Sequence, residues 1–216
     1  MDTLDNVFFF KVGLQLFLAG NLFGLLRRLQ AARGDQGAVF VDLKIAGDIG
    51  NTIARFVERA AELGIRLMTF IEAAETAITR HTLAAGRAAR APGRFPEFLV
   101  VPLLSSLDAP DARIVGRARP MVAAGFDGLI VSGTAIGACR AAFPDATLVS
   151  PGIRPAWWDA RDDHVRFTTP AEAVRLGADH LVVGRPVRSA PDPRDAAQRI
   201  LDEIDEAAHR RASAAP

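Results

Sequence analysis

Apolar residues recur along the chain in short, mostly unalternating runs, separated by stretches of helical period. That is the pattern of repeated strand–helix units. The runs are Val7–Val12, Ala38–Lys44, Arg66–Phe70, Phe98–Leu104, Gly128–Ser132, Thr147–Ser150 and His180–Val183. Strands of a parallel sheet are covered on both faces, so they need not alternate. Helices are expected at Ile53–Leu63, Arg113–Ala124 and Ala171–Leu176, and a last one from Pro193 to about Ala208. The last opens on Asp192-Pro193, a capping carboxylate before a residue pre-set for the first turn. Ala91–Pro96 reads as a loop, nothing orders the tail Arg210–Pro216, and no internal repeat or linker stands out.

Seven strands are one short of a closed eight-stranded barrel, and the first begins almost at Met1. They are therefore counted as strands two to eight. The expected fold class is α/β, a (β/α)8 TIM-type barrel with its first strand missing, forming a single domain over residues 1–216. The uncharged run Val12–Leu26 is shorter than the ~20 residues a membrane span needs. Gln15 and Asn21 interrupt it, and it reads as a buried helix.

Composition narrows the classes. The chain has 216 residues and is 50% apolar, enough for one sizeable core. A formal charge of +1 gives no electrostatic footprint for nucleic acid. The start Met1-Asp2-Thr3-Leu4-Asp5 is acidic where a secretory signal would be basic. A single Cys139 excludes an internal disulfide and fits a reducing compartment, so a cytoplasmic protein without a membrane partner is expected. His81, His164, His180 and His209 show no paired spacing, and no metal site is expected.

In such a barrel chemistry sits where strands end and loops begin. Asp42 and Lys44 are two apart on one strand, so both point to one face and can pair. Buried charges are tolerated when paired. The two read either as a carboxylate and an ammonium fixed beside a reacting carbon or as a structural ion pair. Lys11, in Lys11-Val12-Gly13 at the neighbouring strand end, could reach Asp42 and extend the pair into an array. The ends Ser150-Pro151-Gly152-Ile153-Arg154-Pro155 and Gly184-Arg185-Pro186 lie where barrel enzymes recurrently bind phosphate. There the glycines let backbone N–H groups approach an anion, and Arg185 can close on it as a bidentate donor. In Ser105-Ser106 a hydroxyl could hold a ligand amide, or could cap the next helix.

Taken in order, Lys11-Val12-Gly13, Asp42-Leu43-Lys44 with Asp48-Ile49 and Thr52, Pro151-Gly152-Ile153-Arg154-Pro155 and Gly184-Arg185-Pro186 resemble the orotidine 5′-monophosphate decarboxylase family. Asp127–Asp192 is similar to bacterial members nearly throughout, Thr169-Pro170 and Gly177-Ala178-Asp179 included. The resemblance implies cofactor-free decarboxylation of orotidine 5′-monophosphate (OMP) to UMP in pyrimidine synthesis. Lys44 would protonate C6 of the pyrimidine as CO₂ leaves, Asp42 would sit against the departing carboxylate, and Lys11 would hold Asp42. Asp48 and Thr52 would reach the site of a neighbouring subunit in a homodimer. Ser106 would contact the pyrimidine, and Pro151, Gly152, Arg154, Gly184 and Arg185 would surround the substrate, Arg185 and the Gly184 backbone binding its phosphate.

The chain departs from the family pattern at four places. Gly47 spaces Asp48 four residues after Lys44 instead of three, a slip that a β-bulge can absorb. Ala156 stands for a Gln, Ile71 for a His, and the strand bearing a ribose-binding Asp is missing. Two other readings remain. One is a phosphate-binding relative without turnover. The other is a Mg²⁺-dependent sugar-phosphate synthase or decarboxylase, such as a hexulose-phosphate synthase, whose second Asp is usually followed by Ala-Gly. Trp157-Trp158 with Asp159–Asp163 reads as a substitute lid or as an ordinary loop.

Overall fold

The computed structural model describes residues 9–18, 20, 22–33, 38–46, 48–71, 76–89, 96–158 and 166–213. Along the chain come β1 (Phe9–Gly13), α1 (Leu14–Leu18), α2 (Leu22–Arg33), β2 (Ala38–Ile45), α3 (Gly50–Glu62), β3 (Ile65–Ile71), α4 (Thr76–Ala89) and β4 (Glu97–Val101). They are followed by α5 (Asp111–Ala124), β5 (Gly128–Ile130), α6 (Ala135–Ala142), β6 (Thr147–Ser150), α7 (Pro170–Leu176), β7 (His180–Leu181), α8 (Arg185–Arg188) and α9 (Pro193–Ser213). Among the described residues seven strands alternate with helices, the (β/α) barrel class that the hydrophobic pattern anticipates. By internal contacts the chain forms two compact units, Met1–Val101 with Met121–Asp127, and Pro102–Pro120 with Gly128–Pro216.

In the first unit β1 pairs with β2, β2 with β3 and β3 with β4, all parallel. The sheet is apolar through its thickness: Val39, Met68, Phe98, Leu99 and Val100 are fully buried. Phe70 packs edge-on against Phe98 and Phe126, at centroid distances of 5.3 and 5.6 Å. Burying each such ring contributes about 1.5–3 kcal/mol. Helix α3 turns Ile53, Val57 and Ala60 inward, the four- and three-residue spacing of one helical face. In the second unit β5 pairs with β6 and β6 with β7, again parallel. Leu129, Ile136, Leu148 and Ile153 are fully buried there.

One local device occurs in both units, although no repeat stands out in the sequence. Gly125 (φ +99°) and Gly177 (φ +101°) follow α5 and α7 in left-handed conformations that a Cβ would strain. Two residues on, Asp127 accepts the Phe98 N–H at 2.9 Å and Asp179 accepts the Leu148 N–H at 2.7 Å. An arginine closes each turn. Arg87 donates to the Gly125 carbonyl and to Asp127, and Arg140 to the Gly177 carbonyl and to Asp179. Each Gly-x-Asp thus ties the end of a helix back to the strand that precedes that helix.

Several boundaries move from those expected. The first strand starts at Phe9 within the described residues, and the fourth ends at Val101 because Pro102 has no N–H to continue the ladder. Asp192 caps α9 as expected, accepting the N–H groups of Arg194 and Asp195 at 2.9 and 3.1 Å. That helix continues to Ser213, so residues 210–213 of the tail are helical, while 214–216 lie outside the described residues. The Val12–Leu26 run is not one buried helix. It spans the end of β1, α1 and the start of α2, with Gly20 at φ +86° between the helices. Leu26 is buried, but Leu14 is 58% exposed. No helix among the described residues is long and apolar enough to cross a membrane.

Candidate active site

Lys11, Asp42 and Lys44 meet at the ends of β1 and β2. Lys11 Nζ donates to Asp42 Oδ2 at 2.8 Å and Lys44 Nζ to Asp42 Oδ1 at 2.7 Å. The Asp42 side chain is 12% exposed and the two lysine side chains about a third, so the array is open on the side of the lysines. Burial alone would raise the Asp42 carboxyl. Lys11, by charge and hydrogen bond, and then Lys44 outweigh it and hold the group below its ordinary value.

How Asp42 and Lys44 come together differs from simple alternation. Val41 pairs with Met68 and Ile45 with Phe70, so Asp42, Leu43 and Lys44 stand against Thr69 alone. The strand bulges there, and Lys44 takes φ +52°, alone among the described non-glycine residues in having positive φ. That conformation costs about 1–3 kcal/mol and persists where the surroundings over-determine it. Thr69, buried to 1% exposure, supplies the surroundings. Its Oγ1 accepts the Lys44 N–H at 2.9 Å and donates to Asp42 Oδ1 at 2.9 Å. This bulge at Asp42–Lys44 is separate from the one the sequence allows at Gly47, which lies outside the described residues.

Asp48 and Thr52 are exposed around the start of α3, with Ile49 between them 69% exposed. Asp48 Oδ1 accepts the Ile49 N–H at 2.6 Å, bending the chain into the helix. Neither has a described hydrogen bond to the Lys11–Asp42–Lys44 array. Ile71 closes β3, half-buried.

In the second unit, Ser106 lies exposed in the turn Leu104–Leu107, which the Leu107 N–H closes on the Leu104 carbonyl at 3.0 Å. Arg166 holds this turn from outside it. Its guanidinium donates to the Leu104 carbonyl at 3.1 Å and its N–H to the Ser105 carbonyl at 3.4 Å. Burial lowers the pKa of Arg166, opposed by the Asp108 and Asp111 carboxylates. Neither Thr69 nor Arg166 stands out in the sequence, since a threonine in a strand and an arginine in a loop are ordinary there.

After β6, Gly152 is buried at φ +76°, and its carbonyl accepts the Thr168 N–H at 3.2 Å. The Arg154 N–H donates to the Thr168 carbonyl at 2.8 Å, pinning Pro151–Pro155. The Arg154 side chain folds onto the Ile153 carbonyl at 2.7 Å. After β7, Gly184 is exposed, and an added Cβ would meet nothing within 4 Å. Its carbonyl accepts the Val187 and Arg188 N–H groups, turning the chain into α8 with Arg185 half-buried at its start. Trp157 packs beneath Arg199 of α9, the guanidinium 4.4 Å from the ring centre. Ala156 beside it is exposed, and Asp159–Asp163 lie outside the described residues.

Cys139 is buried, and burial with the nearby Asp111 pushes its thiol up to about 11, far from a nucleophile's range. Among the described residues no group of three or more His, Cys, Asp or Glu side chains could hold a metal ion.

The model of the orotidine 5′-phosphate decarboxylase / HUMPS family matches residues 2–200. The chain belongs to that family. It is 42% identical to the orotidine 5′-phosphate decarboxylase of Methylobacterium sp. (strain 4-46), over 94% of this chain and 87% of that protein. With the protein of the same name from Rhodopseudomonas palustris (strain BisA53) it is 43% identical, over 93% and 85%. Among solved structures it is similar to orotidine 5′-phosphate decarboxylase from Lactobacillus acidophilus, with a TM-score of 0.70 and 27% identity over 90% of this chain and 86% of that one. That family membership gives the strand-end lysines and aspartate a chemical context.

Proposed function

We propose that this chain decarboxylates OMP to UMP, the activity for which relatives at 42–43% identity are named. The observation that carries the reading is the Asp42 carboxylate held between two ammonium groups at 2.7 and 2.8 Å. In the reaction the C6–carboxylate bond breaks, CO₂ leaves, and the electron pair stays on C6. Lys44 gives a proton from Nζ to that carbon, and solvent later returns it. Positive charge fixed beside the developing carbanion stabilises it more than it stabilises the ground state, without metal or organic cofactor. Asp42 beside the substrate carboxylate opposes the ground state by like charge. Lys11 keeps Asp42 ionised and in place.

The phosphate is assigned to Gly184 and Arg185, with Pro151, Gly152 and Arg154 shaping the neighbouring loop and Ser106 at the pyrimidine. The open approach at Gly184, where no Cβ stands, supports a backbone contact to an anion. A homodimer is part of the proposal. The exposure of Asp48, Ile49 and Thr52 together supports their use by a second subunit. We place the enzyme in the cytoplasm, consistent with its free Cys139.

The test is the loss of OMP absorbance with purified protein, with and without EDTA. Turnover that EDTA leaves unchanged is expected. Turnover that EDTA abolishes would favour the Mg²⁺-dependent branch of the family, and none at all would favour a phosphate-binding relative.

A further inference from the structure

The one β3 residue opposite the bulge is Thr69, and its hydroxyl is bonded to both ends of it. A threonine hydroxyl has one proton to give and lone pairs to accept with. Here the Lys44 N–H occupies a lone pair, and the hydroxyl proton is donated in a hydrogen bond to Asp42 Oδ1. In a regular parallel ladder the Lys44 N–H would find a carbonyl on the neighbouring strand. The register shift removes that partner, and a part-buried N–H without one is costly. The hydroxyl replaces it and in the same bond fixes the left-handed backbone from which the Lys44 side chain starts.

We propose that Thr69 is a positioning residue for the reaction, setting the backbone of Lys44 and the carboxylate of Asp42 with a single hydroxyl. The inference rests on the proposed function for its kinetic consequence but not for its geometry. Asp42 Oδ1 accepts from Lys44 Nζ and Thr69 Oγ1, and Oδ2 from Lys11 Nζ; among the described residues, Lys11 on β1, Lys44 on β2 and Thr69 on β3 are the polar side chains bonded to this carboxylate. Of the three, the lysines reach it on flexible stems, whereas a β-branched threonine is stiff at χ1. Without the hydroxyl, Lys44 can relax from φ +52° and carry its ammonium away from the reacting carbon.

Thr69→Val keeps the shape and deletes both bonds, and Thr69→Ser keeps the hydroxyl. Thr69→Val should lose on the order of 10²-fold in kcat, the scale of a misplacement near 1 Å, with KM little changed. Thr69→Ser should restore most of the rate. Two readouts need no turnover. In Thr69→Val the Asp42 carboxyl, followed by carbon NMR, should titrate at higher pH, and the Lys44 amide should lose hydrogen-exchange protection. Unchanged kcat, or an unchanged Asp42 titration, would overturn the proposal. If the native protein shows no turnover, the proposed function fails while the NMR readouts still decide the role of Thr69. If Thr69→Val does not fold, Thr69→Ala carries the same expectation. A native Lys44 amide exchanging as fast as an exposed loop amide would overturn it without any variant.

Discussion

Replacing Asp42 by Asn removes one negative charge and almost no volume from between Lys11 and Lys44. The amide keeps one oxygen as an acceptor, so one ammonium retains a neutral partner while the other faces an NH₂ group. Hydrogen bonds to charged groups contribute about 1.5–3 kcal/mol each, and breaking a buried pair costs about 3–5 kcal/mol. Here the lysine side chains are 35% and 37% exposed, so solvent screens part of that. A loss of about 2–3 kcal/mol at pH 7 follows, which at a urea slope of about 1–3 kcal/mol per molar lowers the midpoint by roughly 1 M. The loss should depend on pH. Asp42 titrates below its ordinary value in the folded protein, so its contribution is present above the unfolded pKa of about 3.9 and fades as pH falls through the folded value. Urea unfolding at pH 7, 5 and roughly 3.5 checks this. The gap between native protein and Asp42→Asn should hold from pH 7 to 5 and narrow below about 4. Coincident midpoints at pH 7, or a gap that does not narrow, would refute the account of a charge held by two ammonium groups.

Arg185→Ala should raise KM for OMP by about 10- to 10²-fold, the worth of a charged hydrogen bond, and leave kcat nearly intact, because its assigned partner is the non-reacting phosphate. Equal losses in kcat and kcat/KM would move Arg185 to the reacting end. Arg166→Leu should free the Leu104–Leu107 turn, lowering stability by about 1–2 kcal/mol in urea unfolding and raising KM through Ser106. A variant with native KM would separate that turn from the substrate.

Much of the fold was legible because a strand buried on both faces must be apolar, whatever its partners. The seven runs mark it, and Asp192-Pro193 marks the start of α9 by local chemistry alone. The meeting of Lys11, Asp42 and Lys44 was legible too, but for an incomplete reason. Alternation within one strand put Asp42 and Lys44 on one face, whereas the contact forms through a bulge and a left-handed Lys44. A bulge is a property of two strands in register, and β2 alone carries no record of how many residues β3 sets against it. Thr69 was invisible for the same reason, since its significance is its position opposite Asp42–Lys44. Arg166 escaped notice because its partners are the carbonyls of Leu104 and Ser105, which no side-chain pattern reveals.

Whether Lys44 delivers the proton is decided by Lys44→Ala. OMP turnover and UMP binding are measured side by side, the second by calorimetry. Turnover should disappear while UMP, carrying the phosphate, still binds. Turnover retained in Lys44→Ala would contradict it.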